Sequence, residues 1–170
     1  MLGKVIVHGK VAARIVETEA YLGLKDRAAH TFRGVTQRTK VLFGPPGHAY
    51  VYLIYGMYEC LNFSCEPEGS PGCVLIRALE PLAGIDEMRE RRGHPKRDRD
   101  LTNGPGKLTM AMGITRAHNG LDVTHSELLV CEPVRHQRFE ITTSTRIGIQ
   151  HNTDWEMRFY ISGNEFVSKG

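Results

Sequence analysis

Two carboxylates and a tyrosine alternate in the segment VETEAYL, where they could carry acid–base chemistry. The segment is typical of a β-strand, in which successive side chains point to opposite faces of the sheet. Glu17, Glu19 and Tyr21 therefore share one face, and the intervening residues share the other, which is the simpler core face. The two carboxylates lie about 7 Å apart, because each strand residue adds about 3.3 Å. Their face is either ordinary solvent-exposed surface or part of a functional site.

A buried acid needs a partner, and Arg77 in the strand-like run CVLIRALEP is the candidate. Exposed surface is the simpler interpretation of the acidic face alone, but apolar residues flank it and favour partial burial. An unpaired buried carboxylate or guanidinium is too costly to be common. One interpretation of Arg77 is a structural ion pair with Glu17 or Glu80. The other is an arginine that orients a substrate or a water beside Glu19.

Tyrosines are concentrated in the run YVYLIYGMY. Alternation places Tyr50 and Tyr52 on one face, and Tyr55 lies beside a turn glycine. Packing is the ordinary role of strand tyrosines. At a hairpin tip, however, Tyr55 would be an exposed aromatic wedge of the kind that proteins insert between stacked bases. Tyr21, His30 and Tyr52 could line a slot that stacks on a flat ring.

The phrase NGPGKL at residues 103–108 combines a glycine-rich turn with the predicted start of a helix. Free N–H groups and the positive end of the helix dipole suit a phosphate there, and Lys107 adds charge. The phrase does not match a P-loop, which requires GxxxxGK[ST]. Taken alone it is a weak signal, because many helices begin this way.

Composition excludes several classes of protein. With 170 residues, 41% hydrophobic and 24% charged, the chain is typical of a globular domain. No apolar run reaches the roughly 18 residues that a membrane helix needs, and the start has no signal-peptide pattern. We therefore expect a cytoplasmic location, or a nuclear one in a eukaryote, and not secretion. The net charge of +3 permits nucleic-acid binding without indicating it.

Other catalytic and metal-binding patterns are missing from the sequence. The eight histidines are scattered, with no HExxH or similar spacing, and no GxSxG motif occurs. None of the four cysteines forms a CxxC pair, so we expect reduced thiols and no zinc site of that kind. These cysteines are Cys60, Cys65, Cys73 and Cys131.

Hydrophobic patterning predicts mostly strands with a few helices. The predicted strands cover residues 3–9, 13–22, 49–55, 58–65, 73–80, 128–135, 139–149 and 157–163. Helices are predicted over 82–93 and from Pro105 onward, with a short helix or turn over 25–29 that ends at His30. Pro81 is expected to stop its strand, and residues 94–103 are expected to form a mobile surface loop. This order predicts an α+β fold, a compact single domain over 1–170 with a curved, largely antiparallel sheet and peripheral helices.

The residues singled out above belong to longer phrases that resemble the alkylpurine DNA glycosylase family, of the mammalian alkyladenine DNA glycosylase type. The matching phrases are RIVETEAYLG, DRAAH, YVYLIYGMYECLN, CVLIRALEPLAG, NGPGKL, RIGI and RFYISGNEFVS. They occur in family order and run from about Arg14 to Ser168. The likeness therefore extends over nearly the whole chain.

The resemblance implies a role for each site residue. Glu19 corresponds to the general base that activates the attacking water, Arg77 to the arginine that helps to hold it, and Tyr55 to the residue that intercalates into DNA. Asn62 corresponds to a residue that disfavours guanine by crowding its amino group, and Ile147 to a main-chain contact. The implied base-pocket residues are Tyr21, His30, Tyr52, Asn62 and Ile147.

The resemblance also implies a reaction and a partner. A monofunctional DNA glycosylase would flip an alkylated or deaminated purine out of damaged double-stranded DNA and begin base excision repair. The lesions would belong to the 3-methyladenine, 7-methylguanine, hypoxanthine and ethenoadenine class. We expect a monomer without a cofactor or a catalytic metal, and phosphate contacts from Gly104 and Lys107.

Two further interpretations and some departures from the family stay open at this point. The chain could be a non-catalytic binder of distorted nucleic acid, or a small-molecule hydrolase or transferase on a similar sheet. It begins at MLGK, where the family usually has a preceding apolar helical segment. The regions 94–100 and 153–157 also differ in length from those expected of the mammalian form.

Overall fold

The strands that hold the two acids and Arg77 pair with each other near the middle of one sheet. The computed structural model describes residues 1–135 and 137–169. The strands are β1 (Val5–His8), β2 (Val11–Tyr21), β3 (Ala49–Ile54), β4 (Tyr58–Ser64), β5 (Cys73–Ala83), β6 (Leu128–Cys131), β7 (Ile141–Ser144) and β8 (Arg158–Ile161). The order is β3-β4-β5-β2-β1-β6, and β8 pairs with both β2 and β7. The paired strands are antiparallel and the sheet is curled, which confirms the predicted α+β fold.

Strand β2 has neighbours on both edges along the acidic stretch. One edge pairs with β5, and the other pairs first with β1 and then with β8. The β8 pairing covers the residues from Glu17 to Glu19. The two acids therefore lie in the interior of the sheet and not at its edge.

Two β-bulges interrupt the β2–β5 pairing beside the acids. The register leaves Val16 of β2 and Arg77 of β5 without a partner residue. Bulges re-aim side chains, and Val16 packs with Ala78 and Ile161 in a small cluster, whereas Ile15 belongs to the main core. Both faces of β2 are consequently buried here, so the interpretation of the acidic face as exposed surface is wrong.

Two helices and several short 3₁₀ helices complete the fold. α1 (Ile85–Arg91) packs against α2 (Pro105–Met112), and α2 packs against β4 and β5. Pro105 is the first residue of α2, as predicted. No helix within the described ranges is long and apolar enough to cross a bilayer. The 3₁₀ helices are Gly23–Lys25, His30–Arg33, Lys40–Phe43, Asp98–Asp100 and Arg116–His118.

Strand β5 continues through Pro81 to Ala83, so the prediction that Pro81 ends it is wrong. Pro81 pairs with Ala13 of β2. Strand β4 covers only Cys73–Leu75 of β5, so β5 has one free edge at Pro81 within the described part of the chain. A proline is tolerated where its missing N–H costs no ladder hydrogen bond. Because β5 extends to Ala83, α1 begins at Ile85 and not at the predicted residue 82.

The segment 94–103 is packed at its end, so the prediction of a mobile surface loop is wrong there. Leu101 and Thr102 are fully buried. The Thr102 hydroxyl donates to the Leu79 carbonyl oxygen at 2.6 Å. One buried leucine in a charged run produces no periodic pattern, which is why patterning missed it.

Three other predicted elements differ in their bounds. β6 and β7 are shorter than the predicted strands 128–135 and 139–149. His30 begins a 3₁₀ helix and does not end the preceding turn. The residues after β7 form a loop that returns to the site described next.

Candidate active site

An open cleft of about 650 Å³ brings the predicted site residues together. Glu19 alone among them does not line the cleft; it is fully buried beneath it, in contact with three residues that do. The predicted residues that line the cleft are Tyr21, His30, Tyr52, Tyr55, Asn62, Arg77, Gly104, Lys107 and Ile147. Positions far apart in sequence thus form one continuous surface around a buried acid.

Glu19 is held in one orientation by two hydrogen-bond donors and one ion pair. Its Oε1 accepts a hydrogen bond from the Ile147 N–H at 2.8 Å and lies 3.2 Å from Nη1 of Arg77. Its Oε2 accepts from the Tyr21 hydroxyl at 2.9 Å. A carboxylate oxygen can accept two hydrogen bonds, so Oε2 can still accept one from a water. The geometry suits a carboxylate that takes a proton.

Glu17 is also fully buried, but its partners are structural. Oε1 accepts from Nε of Arg158 at 2.6 Å, from the Ser168 hydroxyl at 2.9 Å and from Nε of Arg77 at 3.2 Å. Oε2 accepts from the Ser168 N–H at 2.7 Å. Arg77 therefore forms the expected ion pair with Glu17 and also contacts Glu19 at the cleft. Glu80 pairs with Arg14 instead.

Tyr21 remains a hydrogen-bond donor to Glu19. Burial, together with the Glu19 charge, raises the pKa of the Tyr21 hydroxyl well above its ordinary value. The hydroxyl therefore keeps its proton at neutral pH. The Arg146 guanidinium lies 4.6 Å from the centre of the Tyr21 ring, which fixes the ring against the loop after β7.

His30 and Tyr52 form the aromatic side of the cleft. Their ring centres are 4.7 Å apart with an angle of 74° between the planes. The Tyr50 hydroxyl lies 3.0 Å from Nδ1 of His30, and Nε of Arg38 donates to the same oxygen at 3.0 Å. Burial and the nearby Arg38 charge lower the pKa of His30 to about 4. The His30 ring is therefore neutral at pH 7.

Asn62 is buried at the cleft wall with its amide fixed. Nδ2 donates to the Tyr50 carbonyl oxygen at 3.2 Å, and the Cys73 thiol lies 3.9 Å from Oδ1. Burial raises the pKa of Cys73 to about 12, so this thiol stays protonated and can donate. Asn62 is thus a rigid part of the wall.

Tyr55 projects from the tip of the predicted β3–β4 hairpin. The residue is 80% exposed, and its backbone has a φ of 54°, which is rare for a bulky residue. Such backbone strain in a non-glycine residue is found most often at functional sites. Met57, on the same tip, is also exposed. The hairpin therefore presents an apolar projection at the mouth of the cleft.

The rim of the cleft is basic. Arg27, Arg92 and Lys107 line it together with Arg77, and no Asp or Glu lines it in the described part of the chain. Gly104 and Lys107 lie at the start of α2, where Nζ of Lys107 donates to Oδ1 of Asn103 at 2.8 Å. Free helix N–H groups and basic side chains together suit a polyanion.

A buried ion pair between Asp26 and Arg146 supports the site, and the sequence interpretation missed it. Both side chains are fully buried, and Nη2 of Arg146 lies 3.0 Å from Oδ1 of Asp26. Burial alone would raise the pKa of Asp26, but hydrogen bonds from Arg146 and from backbone N–H groups lower it below its ordinary value. Because Arg146 precedes Ile147, the pair fixes the N–H that holds Glu19. The sequence signal was a single charge inside the uncharged run TRIGI.

Comparison with known proteins assigns the chain to a family. The family model for methylpurine-DNA glycosylase (MPG) matches residues 1–165. The chain belongs to the methylpurine-DNA glycosylase family. Membership identifies it as an enzyme of the DNA glycosylase class, which confirms the predicted N-glycosyl hydrolase.

Several relatives are similar over most of their length. The chain is 46% identical to a protein of Alkaliphilus oremlandii over 99% of this chain and 91% of the relative. It is 48% identical to one of Burkholderia lata (92% and 77%) and 47% identical to one of Methanocella arvoryzae (99% and 88%). Each carries the name "Putative 3-methyladenine DNA glycosylase". These methylpurine-DNA glycosylase relatives are bacterial and archaeal, which corrects the expected mammalian type.

Proposed function

We propose that this methylpurine-DNA glycosylase is monofunctional and excises alkylated or deaminated purines from duplex DNA with a water activated by Glu19. The observation that carries the proposal is the buried Glu19 beneath an aromatic, basic cleft, held by Tyr21, Arg77 and the Ile147 N–H. The name shared by the relatives supports 3-methyladenine as one substrate.

The lesion must leave the base stack before it can be reached, at a cost of a few kcal/mol. The exposed Tyr55 ring fills the gap and keeps the nucleotide outside the helix. The extruded purine stacks between Tyr21 on one side and the His30 and Tyr52 rings, which contact each other, on the other. N3- or N7-alkylated purines are cations, which aromatic faces attract by about 0.5–2 kcal/mol each. The neutral His30 ring avoids repelling that charge.

Hydrolysis breaks the bond between C1′ and the purine nitrogen. The electron pair leaves with the base, so an alkylated cationic purine departs neutral and needs no proton from an acid. The sugar develops oxocarbenium character, which the Glu19 carboxylate stabilises while it takes the proton of the attacking water. Neutral lesions such as hypoxanthine depend more on hydrogen bonds to the base edge. A water nucleophile forms no Schiff base, so the DNA strand stays intact.

The proposal is tested with a panel of duplexes, each of which contains one 7-methylguanine, hypoxanthine or ethenoadenine. Unmodified duplex is the control. The measurements are the mass of the released product and the integrity of the strand before and after hot alkali. We expect free modified base and a strand that breaks only after alkali. Tight binding without released base would instead support the non-catalytic binder. Cleavage of free nucleosides with no DNA affinity would support the small-molecule hydrolase.

A further inference from the structure

Two histidines and a glutamate from distant parts of the chain meet outside the cleft. His8 ends β1, His118 ends the 3₁₀ helix after α2, and Glu127 precedes β6. The two Nε2 atoms are 3.3 Å apart, and Oε1 of Glu127 lies 3.8 Å from Nε2 of His118. The three ligand atoms all lie within 4.8 Å of one another. None of these residues lines the catalytic cleft.

The backbone fixes the orientation of both rings. Nδ1 of His8 lies 2.8 Å from the Met112 carbonyl oxygen, so it carries a proton and leaves a lone pair on Nε2. Nδ1 of His118 lies 3.0 Å from the Thr115 N–H nitrogen and 3.1 Å from the Thr115 carbonyl oxygen. The rings are nearly perpendicular, at 84°. Histidine ligands of metal ions are typically held as His8 is, with the second nitrogen donating to a backbone carbonyl oxygen.

The spacing of the ligand atoms fits a tetrahedral ion. Two nitrogens at about 2.0–2.1 Å from Zn²⁺ at the tetrahedral angle lie about 3.3–3.4 Å apart, and the observed separation of the Nε2 atoms is 3.3 Å. The Glu127 carboxylate is farther away, at 3.8 Å from Nε2 of His118, but its side chain is 69% exposed and can turn toward an ion. Two imidazoles and one carboxylate suit Zn²⁺ and similar divalent transition metals better than Mg²⁺ or Ca²⁺.

Without a metal, one proton between the two Nε2 atoms can account for the same contact. His118 then accepts from the Thr115 N–H at Nδ1 and donates from Nε2 to His8. Metal binding requires this proton to move to Nδ1 of His118, where the Thr115 carbonyl oxygen accepts it. In the metal-bound state the Thr115 N–H gives up its hydrogen bond to Nδ1, so the metal replaces the proton at the expense of one backbone hydrogen bond.

We propose that His8, His118 and Glu127 form a binding site for Zn²⁺ or a similar divalent transition metal, with the fourth position left to water. The ion joins the β1–β2 hairpin to the segment after α2 and to the loop before β6. It lies apart from the glycosylase chemistry, so its role is to stabilise the fold.

Equilibrium dialysis of EDTA-treated protein against Zn²⁺ tests the site, with cobalt absorption as a second readout. We expect the wild type to bind about one equivalent with a tetrahedral Co²⁺ spectrum. His8→Gln and His118→Gln lose that equivalent, and Glu127→Ala weakens it at least about tenfold. The exposed His94→Gln is the matched control and keeps wild-type binding. Zn²⁺ also raises the melting temperature of the wild type and the control, but not of the two histidine variants.

Two results would overturn the proposal. One is a wild type that binds no Zn²⁺ at micromolar concentration; the other is equal stoichiometry and affinity in the wild type and the site variants. Glu127 is exposed and its removal leaves the core intact. Its variant therefore decides the matter even if the histidine variants fail to fold.

Discussion

Two neighbouring acids on one strand have different partners, and we propose that they have different roles for that reason. Glu17 receives hydrogen bonds from Arg77, Arg158 and Ser168, whereas Glu19 lies beneath the cleft with room for one more donor. Alternation along β2 correctly placed both acids and Tyr21 on one face. It could not choose between the acids, because their partners come from residues 77, 147, 158 and 168 of the chain.

Glu17→Gln should destabilise the fold by about 3–5 kcal/mol, because it leaves the buried Arg158 and Arg77 short of negative charge. The measurement is urea unfolding at pH 7. The surface pair of Glu87 with Arg91 supplies the control, since Glu87→Gln should change stability by at most about 1 kcal/mol. Equal stabilities of the two variants would contradict a structural role for Glu17.

The His30 ring should titrate far below its usual range. Burial and Arg38 lower the His30 pKa to about 4, and NMR of the ring carbons against pH measures it. Arg38→Met should raise this pKa only part of the way, because burial remains, and the exposed Arg33→Met should leave it unchanged. A wild-type His30 that titrates near pH 6.5 would show that the pocket does not keep the ring neutral.

The same shift has a consequence for stability. The unfolded chain binds a proton at His30 below about pH 6.5, whereas the folded chain binds it only near pH 4. The contribution of the neutral ring is therefore complete above pH 6.5 and is lost as the pH falls toward 4.

Among the strands, a β-bulge and an early strand end position the proposed site residues. The bulge at Arg77 aims its guanidinium at both acids, and β7 ends at Ser144 so that the next residues turn into the site. Hydrophobic patterning finds the strands that carry these residues. It does not find a bulge or an early strand end, because neither changes the alternation of apolar and polar residues. The long prediction over 139–149 failed for this reason.

The tip of the β3–β4 hairpin should contribute to DNA binding as a wedge without contributing to the stability of the fold. Tyr55→Gly removes the ring that stacks in the vacated gap, so affinity for a damaged duplex should fall about tenfold or more. Unfolding free energy should change by less than about 1 kcal/mol, because glycine accepts the φ of 54° without strain. Fluorescence anisotropy and urea unfolding measure the two quantities. Leu82→Ala, exposed at the end of β5, is the control; equal affinity of both variants would contradict the wedge.

Over the whole molecule, positive charge is concentrated at the cleft. The net charge is only +3, yet every charged residue that lines the cleft in the described ranges is basic. Hydrophobic patterning predicted the fold class correctly, and the alternation and motifs of the sequence pointed to most of the proposed site residues. The buried pair of Asp26 and Arg146 was missed because its members are 120 residues apart in sequence, and local patterns do not report such contacts.

Lys107→Gln should weaken binding to damaged and undamaged duplex alike, because a phosphate contact carries no base information. The slope of log affinity against log salt should become shallower by about 0.9, measured by anisotropy between about 50 and 200 mM salt. Lys10→Gln, exposed in the β1–β2 turn, should leave the slope unchanged. If Lys107→Gln also leaves it unchanged, the start of α2 does not contact the DNA backbone.

Single-turnover excision by Glu19→Gln is the decisive experiment for the proposal that Glu19 activates the attacking water. The substrate is a duplex with one ethenoadenine or hypoxanthine, and Glu80→Gln on the neighbouring strand is the control. We expect the excision rate of Glu19→Gln to fall at least about 100-fold, while its duplex affinity stays within about threefold of wild type and Glu80→Gln remains active. Excision by Glu19→Gln at a rate within about tenfold of wild type would show that Glu19 does not activate the water.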